Sequence, residues 1–150
     1  MININIIVDV SGSMTENGKD SVARYLLYAI EGYCKEEKIS EFKVFQWGKQ
    51  FEELTEPYKL SFDSEKVSNE ILEFLNNHID DRNIIISDGG LSREIKNGIK
   101  KIPNRNNLYY ICVGSDCNLA GIRTVASSDR IFWAQEVISC MRSIINTGEP

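Results

Sequence analysis

The stretch Ile2-Asn3-Ile4-Asn5-Ile6-Ile7-Val8-Asp9-Val10-Ser11-Gly12-Ser13 decides the fold, because it joins an apolar strand to a polar loop. Its first part is rich in β-branched residues, which is typical of a strand covered on both faces of a parallel sheet. The run ends at Asp9, and Ser11 and Ser13 follow around Gly12, which lets the backbone turn sharply. A carboxylate and two hydroxyls on one short turn are hard oxygen ligands of the kind that Mg²⁺ takes. The stretch therefore predicts half of a metal site.

A second stretch, Asn83-Ile84-Ile85-Ile86-Ser87-Asp88-Gly89-Gly90, has the same design. It is an apolar run that ends in an acid and then breaks at paired glycines. In an open parallel sheet, ligands bind beyond the carboxyl ends of the strands, at the point where the strand order reverses. If the two strands are neighbours there, Asp9, Ser11, Ser13 and Asp88 converge on one site.

These two motifs resemble those of the von Willebrand factor A (vWA) domain. Asp9-Val10-Ser11-Gly12-Ser13 is similar to the family's Asp-x-Ser-x-Ser signature, and Ser87-Asp88-Gly89 is similar to its second acidic motif, usually Thr-Asp-Gly. The resemblance covers essentially the whole chain and implies a metal-ion-dependent adhesion site (MIDAS). It implies that Ser11 and Ser13 ligate Mg²⁺ directly, with Mn²⁺ as the alternative and Ca²⁺ less favoured. Asp9 and Asp88 would act mostly through bound water.

One part of the family pattern is missing from the sequence. Family members usually supply a threonine from the loop before the helix that precedes the second acidic strand, often after paired glycines. The corresponding loop here, residues 58–64, has no Gly-Gly-Thr. Ser61 and Ser64 are the candidates for the missing hydroxyl, with Thr55 more distant, and either serine can instead be a helix cap.

The length and composition predict one soluble globular domain over residues 1–150. The chain has 42% hydrophobic and 26% charged residues, which suits neither a disordered segment nor a membrane-spanning protein. The formal net charge of −5 argues against nucleic acid as the main partner. The first strand begins at the amino terminus without a signal-peptide pattern.

The four cysteines point to the same kind of protein. They form no Cys-x-x-Cys pair, so zinc ligation and a redox motif are weak interpretations. Cys34, Cys112 and Cys140 fall at apolar helix or strand positions, where a free thiol serves as a small core residue. We therefore expect a cytoplasmic protein, similar to the small intracellular bacterial members of the family.

The order of elements predicts a doubly wound α/β sheet of the Rossmann-like type. The family resemblance implies six mostly parallel strands in the order 3-2-1-4-5-6, with one antiparallel edge strand. Helices are predicted at residues 16–35, 64–77, 91–102, 119–125 and 136–145, and strands at residues 2–9, 41–48, 50–55, 83–87, 107–113 and 130–133.

The resemblance implies a binding module rather than an enzyme. A metal held largely by neutral oxygens stays electrophilic and accepts an anionic ligand, which in the family is an Asp or Glu of another protein. The loops around the predicted metal also carry residues expected to set partner specificity. They are Glu16, Lys19, Ser92, Arg93 and Asp116.

Two alternatives remain open at this stage. One is a scaffold domain that works without metal, and the other is a Mg²⁺-dependent phosphatase or hydrolase. A dehalogenase-type phosphatase needs a second aspartate where this chain has Ser11, and neither motif supplies a base for a serine nucleophile. The lone histidine, His78, is predicted at the amino end of the sheet, where capping or a surface role is expected. The oligomeric state is not predicted.

Overall fold

The computed structural model describes residues 2–39, 41–56, 59–62 and 65–147. In these residues one six-stranded sheet has the order β3-β2-β1-β4-β5-β6. The strands are β1 Asn3–Asp9, β2 Glu41–Trp47, β3 Phe51–Leu54, β4 Arg82–Ser87, β5 Leu108–Cys112 and β6 Ile131–Trp133. The predicted fold class and strand order are confirmed.

The strand pairing explains the two apolar runs of the sequence. β1 pairs in parallel with β2 on one side and with β4 on the other, so it lies at the centre of the sheet. β4, β5 and β6 continue the parallel part, and among the described strands only β3 pairs antiparallel, with β2. Because β1 and β4 are covered on both faces, their central residues, 6–8 and 84–86, are apolar without alternation.

Helices cover both faces of this sheet. They are α1 Lys19–Glu36, α2 Asn69–Asn77, α3 Arg93–Lys100, α4 Leu119–Arg123 and α5 Val137–Thr147. On one face Ile6 and Val8 pack with Leu26 and Ile30 of α1 and with α5. On the other face Ile7 packs in the cluster formed with α2, α3 and α4.

Two helices begin three or more residues later than their apolar periodicity predicts. α1 was predicted from residue 16, but Gly12–Gly18 forms a 3₁₀ segment, kinked where Asn17 (φ 53°) and Gly18 (φ 75°) take left-handed backbone angles. α2 was predicted from residue 64 and begins at Asn69. In both cases the residues before the helix belong to loops that reach the carboxyl ends of the central strands.

The cysteines that the sequence predicts as core residues are buried. Cys34, Cys112 and Cys140 are buried free thiols, and Cys117 is partly buried. Within the described ranges, no helix combines the length and apolar character that crossing a membrane requires.

Candidate metal centre

The two acidic motifs meet at the point where the strand order reverses. β1 and β4 are adjacent, and their register aligns Val8 with Ile86. Asp9 therefore ends its strand beside Ser87, whose hydroxyl donates a 2.7 Å hydrogen bond to Asp9 Oδ2. The same hydroxyl accepts from the Gly89 backbone N–H at 3.0 Å, which fixes the turn after Asp88.

The Asp9 carboxylate is completely buried and has three donors. Oδ1 accepts the Ser11 backbone N–H at 2.9 Å. Oδ2 accepts from Ser87 and from the Lys66 ammonium, whose Nζ is 3.0 Å away. A carboxylate without solvent needs such partners, because an isolated buried charge is strongly destabilising.

The two serines of the first motif lie together above this carboxylate. Ser11 Oγ and Ser13 Oγ are 3.3 Å apart. Ser13 is also near enough to Asp88 to help lower the pKa of that carboxyl. Asp9, Ser11, Ser13 and Asp88 are thus brought together, although their role as metal ligands stays a prediction. The 3₁₀ conformation that follows Ser11 is the local reason, because it turns Ser13 back over the end of β1.

Asp88 is held as an anion by its surroundings. It is 8% exposed, and its Oδ1 accepts the Gly90 backbone N–H at 3.3 Å while Oδ2 lies 3.3 Å from Lys19 Nζ. Burial alone would raise the pKa of this carboxyl. The hydrogen bonds from Ser13, Lys19 and Gly90 outweigh it and hold the pKa below the ordinary value.

Lys19, which we expected in a loop around the metal as a specificity residue, begins α1 and is a buried part of the cluster. Its side chain is 3% exposed, and Nζ lies 3.0 Å from Asp116 Oδ1 as well as 3.3 Å from Asp88 Oδ2. Burial would lower the pKa of this ammonium, but the hydrogen bonds to Asp116 and Asp88 raise it. Asp116 itself is 59% exposed, so it joins the buried pair to the surface.

The sequence contained a signal for the burial of Lys19. The buried stripe of α1 runs through Ala23, Leu26, Ile30 and Cys34, and Lys19 is the helical position that precedes it. A lysine in line with a core stripe has to bury its stem, and its ammonium then needs an anion. The stripe therefore indicates the burial, but not which carboxylates Lys19 meets.

Lys66 is the second residue that sequence reasoning missed. Its side chain is 12% exposed and forms an ion pair with Asp9. Nζ also donates to the Gly90 carbonyl and lies 4.9 Å from the centroid of the Trp47 ring. No periodicity marks this position, because it lies in the loop before α2.

The loop expected to supply the threonine-like hydroxyl approaches the site through Lys66. Ser61 is exposed and its backbone N–H donates to Gln46 Oε1 at 3.0 Å, which places it along the β2–β3 edge. Thr55 is also exposed. Ser64 lies outside the described residues. None of these three is tested as a ligand.

His78 ends α2 and caps it, as expected. Its N–H donates to the Leu75 carbonyl, and its Nδ1 lies 2.8 Å from the Phe74 carbonyl oxygen. The ring also stacks on Phe74, with centroids 4.0 Å apart. These contacts occupy the imidazole at the end of α2 that leads into the amino end of β4.

The spacing of the two hydroxyls is compatible with a divalent cation, but the two carboxylates are already engaged. Adjacent ligands of an octahedral Mg²⁺ lie about 3 Å apart, so the Ser11–Ser13 separation of 3.3 Å is compatible. Asp9 and Asp88 are each already paired with an ammonium. Within the part of the chain that the structure describes, no three His, Cys, Asp or Glu side chains group closely enough to hold a metal.

The chain is similar to known proteins in its three-dimensional structure. No protein-family model and no curated protein sequence matches the chain. Proximal thread matrix protein 1 from the mussel byssus is similar over 98% of this chain, with a TM-score of 0.67 and 11% identity. This chain covers 47% of that protein, about half of its length. Another structure of the mussel protein, with a TM-score of 0.59, has a zinc-occupied MIDAS motif.

Two bacterial structures are similar in the same way. An aerotolerance-related membrane protein from Bacteroides fragilis matches 97% of this chain and 100% of its own, with a TM-score of 0.65 and 10% identity. A von Willebrand factor type A protein from Catenulispora acidiphila matches 95% of this chain and 41% of its own, with a TM-score of 0.61 and 13% identity. The chain therefore has the fold of the von Willebrand factor A domain.

Proposed function

We propose that the chain is a protein-interaction domain whose binding surface is the loop face at the carboxyl ends of β1, β4 and β5. The observation that carries the proposal is the convergence of Asp9, Ser11, Ser13 and Asp88 at the point where the strand order reverses. Ligands of open α/β sheets bind there. The vWA fold supports the same surface by analogy.

The loops of this face carry exposed groups that can select a partner. Glu16, Ser92, Arg93 and Asp116 are exposed, and they lie on the segments that follow β1, β4 and β5. Ser92 also accepts the Ile95 backbone N–H at 3.2 Å and so caps α3. Charges of both signs on the face favour a polar protein surface over a nucleic acid or a lipid surface.

The resemblance allows two forms of recognition. In the metal-bridged form, Ser11 and Ser13 would hold Mg²⁺ or Mn²⁺, and the ion would supply the position that an Asp or Glu of the partner occupies. In the metal-free form the partner contacts the loops directly. The ion pairs of Asp9 and Asp88 favour the metal-free form.

We also propose that the chain is not an enzyme. The hydroxyls of Ser11 and Ser13 face each other at 3.3 Å, and His78 is held by Phe74 and Leu75 at the end of α2. A serine nucleophile needs a base within hydrogen-bond reach. A colorimetric phosphatase and esterase screen with Mg²⁺ tests this directly, since turnover that Asp9→Ala abolishes would contradict the proposal.

A pair of charge reversals tests the binding surface. Glu16→Arg changes the loop after β1, and Glu41→Arg makes the same change at the opposite end of the sheet, where Glu41 is exposed at the start of β2. The parent chain first captures partner proteins from a lysate of the source cells, and these proteins are then purified. We expect them to bind Glu16→Arg about tenfold more weakly than the parent, and to bind Glu41→Arg as tightly as the parent. Isothermal titration measures both. Equal binding by Glu16→Arg together with loss by Glu41→Arg would place the surface elsewhere.

A further inference from the structure

The two lysines of the site carry the same charge as one divalent cation. Asp9 and Asp88 contribute two negative charges, and Lys66 and Lys19 contribute two positive ones. These four groups therefore sum to zero without a metal, and Lys19 also pairs with the exposed Asp116. Adding a divalent ion would give the four groups two excess positive charges, of which Asp116 offsets one, in a site where Asp9 is fully buried and Asp88 is 8% exposed.

Lys66 has the surroundings of a bound cation. Its ammonium contacts the Asp9 carboxylate at 3.0 Å, the Gly90 carbonyl, and the face of the Trp47 ring at 4.9 Å. A carboxylate, a carbonyl and an aromatic face are all electron-rich, and together they use the directions open to an ammonium. The group is thus held in the site rather than folded against the surface.

The backbone that follows Lys66 is fixed by two hydrogen bonds of Val67. The Val67 N–H donates to the Gly48 carbonyl at 2.9 Å, and the Trp47 indole N–H donates to the Val67 carbonyl at 2.7 Å. Trp47 is completely buried, so this clamp is anchored in the core. These two hydrogen bonds of Val67 direct the Lys66 side chain towards Asp9. Trp47 is therefore part of the core and also positions Lys66.

Lys19 completes the arrangement from the other side. Its ammonium lies between Asp88 and Asp116, at 3.3 and 3.0 Å, and only 3% of the side chain is exposed. The backbone leaves room for it, because a Cβ at Gly114 would lie 2.6 Å from Lys19 Cε. Gly114 has a φ of 88°, which an L side chain rarely adopts, so glycine at this position suits the buried lysine.

We propose that Lys66 and Lys19 take the place of the divalent cation, so that the chain carries a metal-independent form of the vWA site. The loop face is then complete without Mg²⁺, and its conformation does not depend on metal supply. The statement about the loop face, which concerns partner binding, rests on the proposed function. The test of the site itself needs no partner, so either idea can fail while the other stands.

Metal binding is measured with Mn²⁺, whose free ion gives a strong electron paramagnetic resonance signal. We expect the metal-stripped parent chain to show no saturable loss of the signal. Lys66→Met keeps an unbranched side chain over Trp47 and removes the charge, which leaves Asp9 beside two hydroxyls. This variant should bind Mn²⁺ at least about tenfold more tightly than the parent.

Two further variants make the result specific. Lys66→Arg keeps the positive charge and should bind no Mn²⁺. Adding Ser13→Ala to Lys66→Met should abolish the gained binding, because it removes one hydroxyl of the pair. Saturable Mn²⁺ binding by the parent, or Lys66→Met binding no more tightly than the parent, would overturn the proposal.

A second measurement uses the parent chain alone and does not depend on how the variants fold. Lysines are acetylated in the native protein, with and without Mg²⁺, and the modified sites are quantified by mass spectrometry. We expect Lys19 and Lys66 to react at least about tenfold more slowly than the exposed Lys100 and Lys101. Mg²⁺ should not change the pattern. Exposure of Lys66 by Mg²⁺ would show that metal displaces it and that the proposal is wrong.

Discussion

The two ends of the β1–β4 pair carry buried polar groups of opposite character. At the amino end, Asn5 and Asn83 are register partners, and Asn5 Nδ2 donates to Asn83 Oδ1 at 2.9 Å. Asn83 in turn donates to the His78 carbonyl at 2.9 Å. At the carboxyl end the buried groups are the carboxylates of Asp9 and Asp88, each paired with a lysine. At the amino end the buried groups are neutral amides, although Asn5 Nδ2 also donates to the half-buried Asp81 carboxylate at 3.1 Å, whereas at the carboxyl end they are ion pairs. We call them the neutral end and the ionic end.

The difference lies in where the partners come from. The sheet register brings the two amides together, and their other N–H groups donate to Asp81 and to the His78 carbonyl in the turn just before β4. The carboxylates need opposite charges from loops and helices, and Lys66 and Lys19 are separated from their acids by 57 and 69 positions. Buried ion pairs seldom stabilise a fold more than apolar packing does. We infer that the ionic end is shaped by binding and the neutral end by stability.

Removing one charge from the ionic end should have the largest effect. Lys19→Met leaves Asp88 at 8% exposure without its ammonium, and loss of one partner from a buried pair costs about 3 to 5 kcal/mol in free energy of unfolding. Urea unfolding followed by circular dichroism measures the change. Lys19→Met with Asp88→Asn should recover much of the loss, because the amide carries no charge.

The pH dependence of the same variant separates charge from packing. Because the folded-state pKa of Asp88 is lowered, its contribution to stability is present above the unfolded-state pKa and is lost as pH falls through the folded value. The stability gap between the parent and Lys19→Met should therefore narrow between neutral pH and about pH 3. A gap that stays constant over this range would mean that the lost packing of the lysine stem is responsible.

The ionic end also shows how far the sequence predicts the structure. The continuous apolar runs of β1 and β4 and their terminal acids predicted two central strands that meet at one site, and the family resemblance supplied the strand order. Asp9 and Asp88 could be placed because a residue at a strand end is located by the sheet itself. Local periodicity determines which side of an element is buried, and this information extends over a few turns or strands.

The partners of those acids were not predictable in the same way. Lys66 lies in a loop, where a lysine normally points to solvent, and its position depends on the Val67 hydrogen bonds to β2. Lys19 carried a partial signal in the α1 stripe, but its contacts depend on the loop that contains Asp116. Contacts of this kind are decided by the packing of distant segments, which a local pattern does not encode.

A glycine substitution beside Lys19 should have an intermediate effect. Gly114→Ala imposes a side chain at a φ of 88° and places its Cβ 2.6 Å from Lys19 Cε, so we expect a loss of about 2 kcal/mol. Gly32→Ala is the matched control, because an added Cβ in α1 meets nothing within 4 Å. The control should gain up to about 1 kcal/mol from helix propensity. Thermal unfolding of the two variants in parallel measures the contrast, and equal effects would refute the crowding around Lys19.

The smallest effect is expected at the neutral end. Asn5→Ala leaves Asn83 Oδ1 without its donor at 3% exposure, so we expect a loss of about 1 to 2 kcal/mol. Asn3→Ala, on the same strand but exposed, should change stability by less than about 0.5 kcal/mol.

The double variant Asn5→Ala/Asn83→Ala sharpens the comparison of the two ends. It should cost less than the sum of the single changes, because each single change leaves a buried amide half-satisfied. Urea unfolding of the parent, the two single variants and the double variant gives the coupling energy between Asn5 and Asn83. A loss at Asn5 as large as that at Lys19 would mean that both ends are built for stability, and the inference drawn from their difference would then be wrong.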